Sequence, residues 1–129
     1  MEWKVYEPKA KQRSEERLSI TKHRNFVLNR AATDRLRTNK SVRLHYTTDG
    51  RVGIEPVKDG GENVLTIHYA PGGNICTVAA SGFLQQMRYH KTLPKLIYYL
   101  CWNKKQSRLE FQIPAKYLHG RRRRRKRGG

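Results

Sequence analysis

Acidic residues are scarce in this 129-residue chain, which carries 10 Asp and Glu against 28 Lys and Arg, a formal charge of +18 at pH 7. Hydrolytic sites built on carboxylate pairs or metal clusters need several acids or His at fixed spacing. Most acids here lie near the N-terminus or in turns, where local roles explain them, and the five His have no metal-ligand spacing. Glu55 and Glu110 are expected at outward strand positions, where each pairs with its neighbouring arginine, Arg51 and Arg108 respectively. We expect no enzyme, no cofactor and no metal, unless scattered catalytic residues meet in one cleft.

Long apolar runs and cysteines are also few. No stretch approaches the roughly 20 apolar residues of a membrane span, and the N-terminus lacks the apolar segment of a secretory signal. Only Cys76 and Cys101 are present, each within an apolar segment, which predicts two reduced, buried thiols. We expect a soluble, cytoplasmic and nucleoid-associated protein, or a nuclear one if the host is eukaryotic.

Cations are abundant and concentrated at the C-terminus. Such a run repels itself and buries nothing, so residues 118–129 are predicted to form a flexible, disordered tail that binds a polyanion or serves as a nuclear address or solubilising segment. Without the seven tail cations the chain still carries 21 Lys and Arg against 10 acids, and residues 70–109 hold six cations and no acid. Nucleic acid is the first candidate ligand, and an anionic membrane surface the second. The seven cations are Arg121, Arg122, Arg123, Arg124, Arg125, Lys126 and Arg127.

The rest of the chain divides into a charged N-terminal arm at 1–17 and a single domain at 18–117. Apolar and polar residues mainly alternate over 18–113, as Val42 and Leu44 do with Arg43 and His45, and this is the period of a half-buried strand. Glycine-containing turns at 49–50, 59–61 and 71–73 separate the strands. The pattern predicts a mostly antiparallel sheet.

Two short helices interrupt the predicted strands. The first covers about 30–37, with Asn29 as its N-cap. The second follows Ser81, which we expect to cap it, and places Phe83, Leu84 and Met87 on one face. Helices of two to three turns are marginal alone, so each must pack on the sheet. The fold class is therefore α+β.

A weak repeat of about 50 residues links the two halves of the chain, each reading strand, strand, helix, hairpin. Two explanations stay open: a duplication, which would give a pseudo-twofold, saddle-like β-β-α-β-β repeat, or the limited number of ways to alternate strands and helices.

Candidate ligand-binding residues fall into three sets besides the tail. Outward strand positions carry hydrogen-bond donors suited to phosphate and bases, although a solvated sheet face would also be polar. Hairpin tips and the connection after the second helix add further cations, which are equally common as solubilising residues. Tyr98, Tyr99 and Trp102 are expected to pack in the core rather than stack on bases. The three sets are Arg43, His45, Arg51, His68 and Arg108; Lys104 and Lys105; and Arg88, Lys91 and Lys95.

The order of these segments resembles the MotA double-wing class. The resemblance rests on Asn-Arg-Ala-Ala at 29–32, Asp-Gly-Arg-Val-Gly-Ile-Glu-Pro at 49–56 and Ala-Ser-Gly-Phe-Leu at 80–84. It covers about three quarters of the chain, from 18 to 114, and leaves out the arginine tail. Members of the class are phage transcription factors that contact DNA through paired wings on a saddle-shaped sheet. The resemblance implies a phage or prokaryotic regulator of transcription with wings at 49–51 and 103–108.

Taken together, these patterns predict a non-catalytic protein that binds double-stranded DNA through a basic sheet face and hairpins, with the tail as an electrostatic clamp. Two alternatives stay open: a structured-RNA-binding subunit of a larger ribonucleoprotein complex, or a protein-interaction module with a basic localisation tail. With nucleic acid taken as the ligand, neither a membrane nor a small-molecule substrate is expected as a partner.

Overall fold

The computed structural model describes residues 2–4 and 15–119. Two antiparallel sheets and two short α-helices make up this part of the chain, so the α+β prediction is confirmed. Most of the arm and the seven cations at 121–127 lie outside the described residues. No helix in the described part is long and apolar enough to cross a membrane.

The first half of the chain runs strand, strand, helix, hairpin, as the sequence pattern predicts. The hairpin turn follows Thr47, and Gly50 closes it with a φ of 98° and an amide that donates to the Thr47 carbonyl at 3.1 Å. The Asp49-Gly50 turn is therefore confirmed. The elements are β1 (Arg17–Ile20), β2 (Asn25–Leu28), α1 (Arg30–Leu36), β3 (Ser41–Tyr46) and β4 (Arg51–Val57).

In the second half, two of the predicted strands are broken by a single residue each. Ile67 separates β5 (Leu65–Thr66) from β6 (His68–Tyr69), and Leu100 separates β8 (Leu96–Tyr99) from β9 (Cys101–Asn103). The remaining elements are β7 (Cys76–Ala79), α2 (Ser81–Gln86), β10 (Arg108–Gln112) and a 3₁₀ turn (Ala115–Tyr117).

These two broken strands join the sheets. The first sheet has the order β6-β7-β2-β1-β8, and the second has the order β5-β3-β4-β10-β9. At both breaks the chain keeps its hydrogen bonding, because Ile67 N–H donates to the Lys40 carbonyl at 2.9 Å and Leu100 N–H to the Glu16 carbonyl at 2.8 Å. Each end strand of one sheet thus continues into the other, and the strands form a closed, barrel-like ring.

The two helices begin differently. Asn29 caps α1 as predicted, since its side-chain oxygen accepts a hydrogen bond from the Ala32 amide at 3.0 Å. Ser81 does not cap α2: it is the first helical residue, and Ala80 occupies the N-cap position without a side-chain hydrogen bond. The α2 helix instead depends on packing, with Leu84 buried and Phe83 against the core.

One apolar core fills the space between the sheets. Phe26 of the first sheet is fully buried and meets Phe111 of the second sheet and Phe83 of α2 edge to face, with ring centroids 5.9 and 6.2 Å away. Cys76 is buried as predicted, whereas Cys101 is exposed, so the prediction of two buried thiols is wrong for Cys101. Aromatic contacts between the two sheets thus occupy the interior of the ring of strands.

Candidate nucleic-acid interface

The outward face of the second sheet brings several predicted residues together. Strand register places His45 of β3 and Glu110 of β10 on either side of Gly53 of β4. Arg43 of β3 lies opposite Glu55 of β4, and Arg51 of β4 lies opposite Gln112 of β10. Because side chains alternate along a strand, the apolar neighbours of these residues point into the core. The outward set forms one polar face.

Two carboxylates organise this face. Glu55 binds His45 Nε2 at 2.9 Å and Arg43 Nη1 at 3.4 Å. The hydrogen bond from His45, assisted by the charge and hydrogen bond of Arg43, holds the pKa of the Glu55 carboxyl below its usual value against the effect of burial. The sequence had placed Glu55 near Arg51, but its partners lie on β3.

Glu110 holds the second group of donors. Arg108 Nε donates to it at 2.7 Å and Asn103 Nδ2 at 3.0 Å, while Arg51 Nη2 lies 3.8 Å away. The Arg108 hydrogen bond is the main cause that lowers the pKa of the Glu110 carboxyl, with smaller contributions from Asn103 and from the Arg51 charge. The predicted pairing of Glu110 with Arg108 is confirmed, and Arg51 is a second cation near this carboxylate.

Charge on this face is therefore largely balanced, because three guanidinium groups share two carboxylates. Paired in this way, the arginines contribute less to attraction of a polyanion than their number suggests, but their planar donor groups are held in fixed directions. Between them lies a cavity of about 450 Å³, which we name the strand-face cavity. It is lined chiefly by His45, Arg51, Gly53, Asn103, Gln106, Arg108 and Glu110.

Lysines at the β9–β10 turn add unbalanced charge beside this cavity. Lys104 and Lys105 are exposed and make no salt bridge within the described part of the chain. Asn103 orders the turn by accepting a hydrogen bond from the Gln106 amide at 3.0 Å. The turn is thus a cationic tip on a supported hairpin.

The third predicted set lies elsewhere. Arg88 and Lys91 line a second cavity of about 750 Å³ beside α2, which we name the helix cavity. Lys95 is exposed and lines neither cavity, and His68 lies on the exposed outer side of the first sheet, opposite Thr77. The predicted residues therefore form two groups, with Lys95 and His68 outside both.

Sequence reasoning missed two residues of interest. Arg24 lines the helix cavity and donates to the carbonyls of His90 and Lys91 at 2.7 and 2.6 Å. These contacts cross more than 60 residues of chain, so no local pattern could reveal them. Tyr99 was expected in the core but is 64% exposed, on β8 opposite Arg17. Tyr98 is buried as predicted and Trp102 is half-buried.

Neither a metal site nor a known relative narrows the function. Within residues 2–4 and 15–119, no group of three or more His, Cys, Asp or Glu is arranged to hold a metal ion. Comparison of the chain with protein-family models, curated proteins and solved structures finds no match. The resemblance to the MotA double-wing class stays a prediction.

Gly53 offers a test of the strand-face cavity. A Cβ at this position would lie 2.9 Å from Cδ and Nε of Arg108, so the arginine must move aside in Gly53→Ala. We expect nucleic-acid affinity to fall severalfold while the urea midpoint changes little, because the end of a long side chain shifts at low cost. Gly60→Ala, where the added methyl meets nothing within 4 Å, is the control. Equal affinity of both variants and the parent would remove this cavity from the interface.

Proposed function

We propose that this protein binds nucleic acid without catalysis and that double-stranded DNA is its first ligand. The observation that carries the proposal is the charge: a formal +18, with seven cations consecutive at the C-terminus. A bias of this size causes self-repulsion unless a polyanion relieves it. Phosphate backbones supply a dense row of negative charge and release counterions when Lys and Arg neutralise them.

The tail and the folded part of the chain have different roles in this proposal. Contacts between cations and phosphates strengthen binding but read no base, so the tail at 121–127 supplies affinity without sequence choice. Fixed donors are required to read base edges. Arg108 of the strand-face cavity meets that requirement best, because its Nε donates to Glu110 at 2.7 Å, and Arg51 lies within 3.8 Å of the same carboxylate.

We infer further that the two halves of the chain are related by a pseudo-twofold axis and that the two hairpins of the second sheet act as wings. In support, the second strands of the halves, β2 and β7, pair antiparallel, and so do the last strands, β4 and β10. A twofold axis between equivalent strands requires this antiparallel pairing. Arg51 and Arg108 each begin the last strand of their half.

The spacing of these wings suits a duplex. Since β4 and β10 run antiparallel, the turns before Arg51 and Arg108 lie at opposite ends of the sheet. β10 has five residues, so with a rise of about 3.4 Å per residue the turns are about 14 Å apart. This is comparable to the roughly 12 Å width of the major groove. With Arg51 beside one turn and Lys104 and Lys105 in the other, the two hairpins would contact the phosphates on both sides of the groove.

Exposed Tyr99 favours a second candidate, a structured-RNA-binding subunit. Tyr99 is 64% exposed and lies opposite Arg17 in the strand register, and exposed aromatic rings and arginines are common stacking groups for unpaired bases. Loops and single strands offer such bases, whereas a duplex does not.

A competition titration distinguishes these proposals. The full chain and a chain ending at Gly120 would be titrated with duplex DNA, single-stranded DNA and a hairpin RNA of equal length at two salt concentrations. We expect both proteins to prefer the duplex, because the described residues that choose the ligand are present in each. Preference for the hairpin RNA would favour the second candidate instead.

The shortened chain decides whether the folded part reads nucleic acid at all. If its binding disappears, or if all three polymers compete equally, the ligand of the folded part is something else. The protein would then be an interaction module with a basic tail, and the proposal would fail.

A further inference from the structure

The helix cavity has the composition of a site for a small anion with an apolar part. It has a volume of about 750 Å³, within the range of roughly 300–1,000 Å³ that small-molecule sites occupy. Three cations, Arg24, Arg88 and Lys91, line it, and no carboxylate of the described residues does. Leu84 and Tyr89 form the apolar floor of the cavity, where both side chains are buried. This is the reverse of the strand-face cavity, where carboxylates balance the arginines.

Arg24 organises the cavity rather than offering free donors. Its guanidinium donates to the carbonyls of His90 and Lys91 and lies over the Tyr89 ring, 5.0 Å from the centroid. These contacts tie the turn between β1 and β2 to the segment after α2. Because Arg24 donates a hydrogen bond to the Lys91 carbonyl, the backbone of Lys91 is held at the rim of the cavity.

Arg88 and Lys91 are the groups available to a ligand. Both are exposed, and neither makes a salt bridge or a side-chain hydrogen bond within the described part of the chain. Both line the same cavity, and a guanidinium with an ammonium is a common pair of phosphate-binding groups.

The backbone at Arg88 strengthens the assignment. Arg88 follows α2 with a φ of 65°, and the Arg88 and Tyr89 amides donate to the carbonyls of Gln85 and Leu84, both at 3.0 Å. This is the hydrogen-bond pattern of a Schellman motif, whose left-handed position glycine fills without strain and arginine does not. An arginine at this position brings strain that the helix ending does not require, which is consistent with a role for its side chain.

We propose that the helix cavity binds a nucleoside 5′-phosphate unit. Arg88 and Lys91 bind the phosphate, and the base lies over the floor of the cavity, beside the Arg24 guanidinium that covers the Tyr89 ring. Such a unit has two sources, a free nucleotide or the phosphorylated end of a strand. The proposal does not rest on duplex binding, because the cavity shares no lining residue with the strand-face cavity.

Calorimetric titration of the full chain with adenosine 5′-monophosphate tests the site. We expect binding that Arg88→Gln and Lys91→Gln each weaken about tenfold or more, since each removes a charge-assisted hydrogen bond. As a control, the combined variant Lys40→Gln and Lys58→Gln changes two exposed cations outside both cavities. It removes as much charge as Arg88→Gln and Lys91→Gln combined and should leave the affinity unchanged. No binding at millimolar nucleotide, or equal loss in this control, would overturn the proposal.

Three further titrations sharpen the result. Inorganic phosphate should bind more weakly than the nucleotide, and equal affinity would reject a site for the base. Arg88→Gly relieves the backbone strain, so it should lose nucleotide affinity without lowering the urea midpoint, and retained affinity would contradict the role of this side chain. The third titration compares a 5′-phosphorylated oligonucleotide with its 5′-hydroxyl form. Tighter binding of the phosphorylated form that requires Arg88 and Lys91 identifies a strand end as the source of the ligand. Equal binding of the two forms identifies the free nucleotide.

Gly53→Ala distinguishes a failure of the nucleotide site from a failure of the proposed function. This variant alters the strand-face cavity alone, so it should change polymer binding and leave nucleotide binding as it is. A protein that binds the nucleotide but no polymer would reject the proposed function and keep the site.

Discussion

A chain ending at Gly120 is expected to bind duplex DNA with a much weaker salt dependence than the full chain. The slope of log K against log salt changes by about 0.9 for each phosphate that a cation neutralises. If about six of the seven cations at 121–127 contact phosphates, the slope should become less steep by about five. Fluorescence titrations at four or more salt concentrations would measure it.

A neutral tail of the same length is the matched control for this experiment. Replacing all seven cations with Gln keeps the chain length and removes only the charge. The slope of log K against log salt should become less steep by the same amount in both altered chains, because the proposed clamp depends on charge and not on chain length. A change below one in either chain would reject the clamp.

Phe26→Ala is expected to destabilise the fold more than any exposed substitution. Truncation of a buried phenylalanine costs about 3–5 kcal/mol, a large share of the roughly 5–15 kcal/mol that stabilises a domain of this size. The loss should be near the upper end, since the ring is fully buried and its edge-to-face contacts join both sheets and α2. Urea unfolding followed by circular dichroism would measure the free energy of unfolding.

Ile97→Ala provides the comparison for Phe26. This side chain lies on the outer side of the first sheet and is 57% exposed, so its truncation should change the free energy of unfolding by no more than about 0.5 kcal/mol. If Phe26→Ala cost less than about 1 kcal/mol, the phenylalanine cluster would not be the centre of the core.

The sequence predicted the local structure well because local signals determine it. Alternation identified most strands, glycine turns separated them, and Asn29 marked the beginning of α1. The ring closure was not predicted, because β1 pairs with β8 and β2 with β7 across long stretches of chain. Single-residue breaks at Ile67 and Leu100 leave no periodic signal that distinguishes a strand shared by two sheets from a strand in one.

The candidate sites were predicted in part for the same reason. Outward strand positions follow from the two-residue period, so His45, Arg51 and Arg108 were identified with their common face. Carboxylate partners across strands depend on register, and Glu55 was assigned to the wrong arginine. The helix cavity depends on Arg24, whose partners lie far along the chain, and only the folded chain brings it beside Arg88.

The shared strands of the ring also limit how a partner can bind. A sheet that ends in a free strand offers unpaired backbone groups, to which another chain can add a strand or from which aggregation can begin. Here the segment at 65–69 pairs with β3 and with β7, and the segment at 96–103 pairs with β1 and with β10. Strand addition at these two segments would compete with their existing pairs, so recognition there is expected to depend on side chains and turns. The pairing of these two segments with both sheets thus leaves less free strand edge for another chain to pair with.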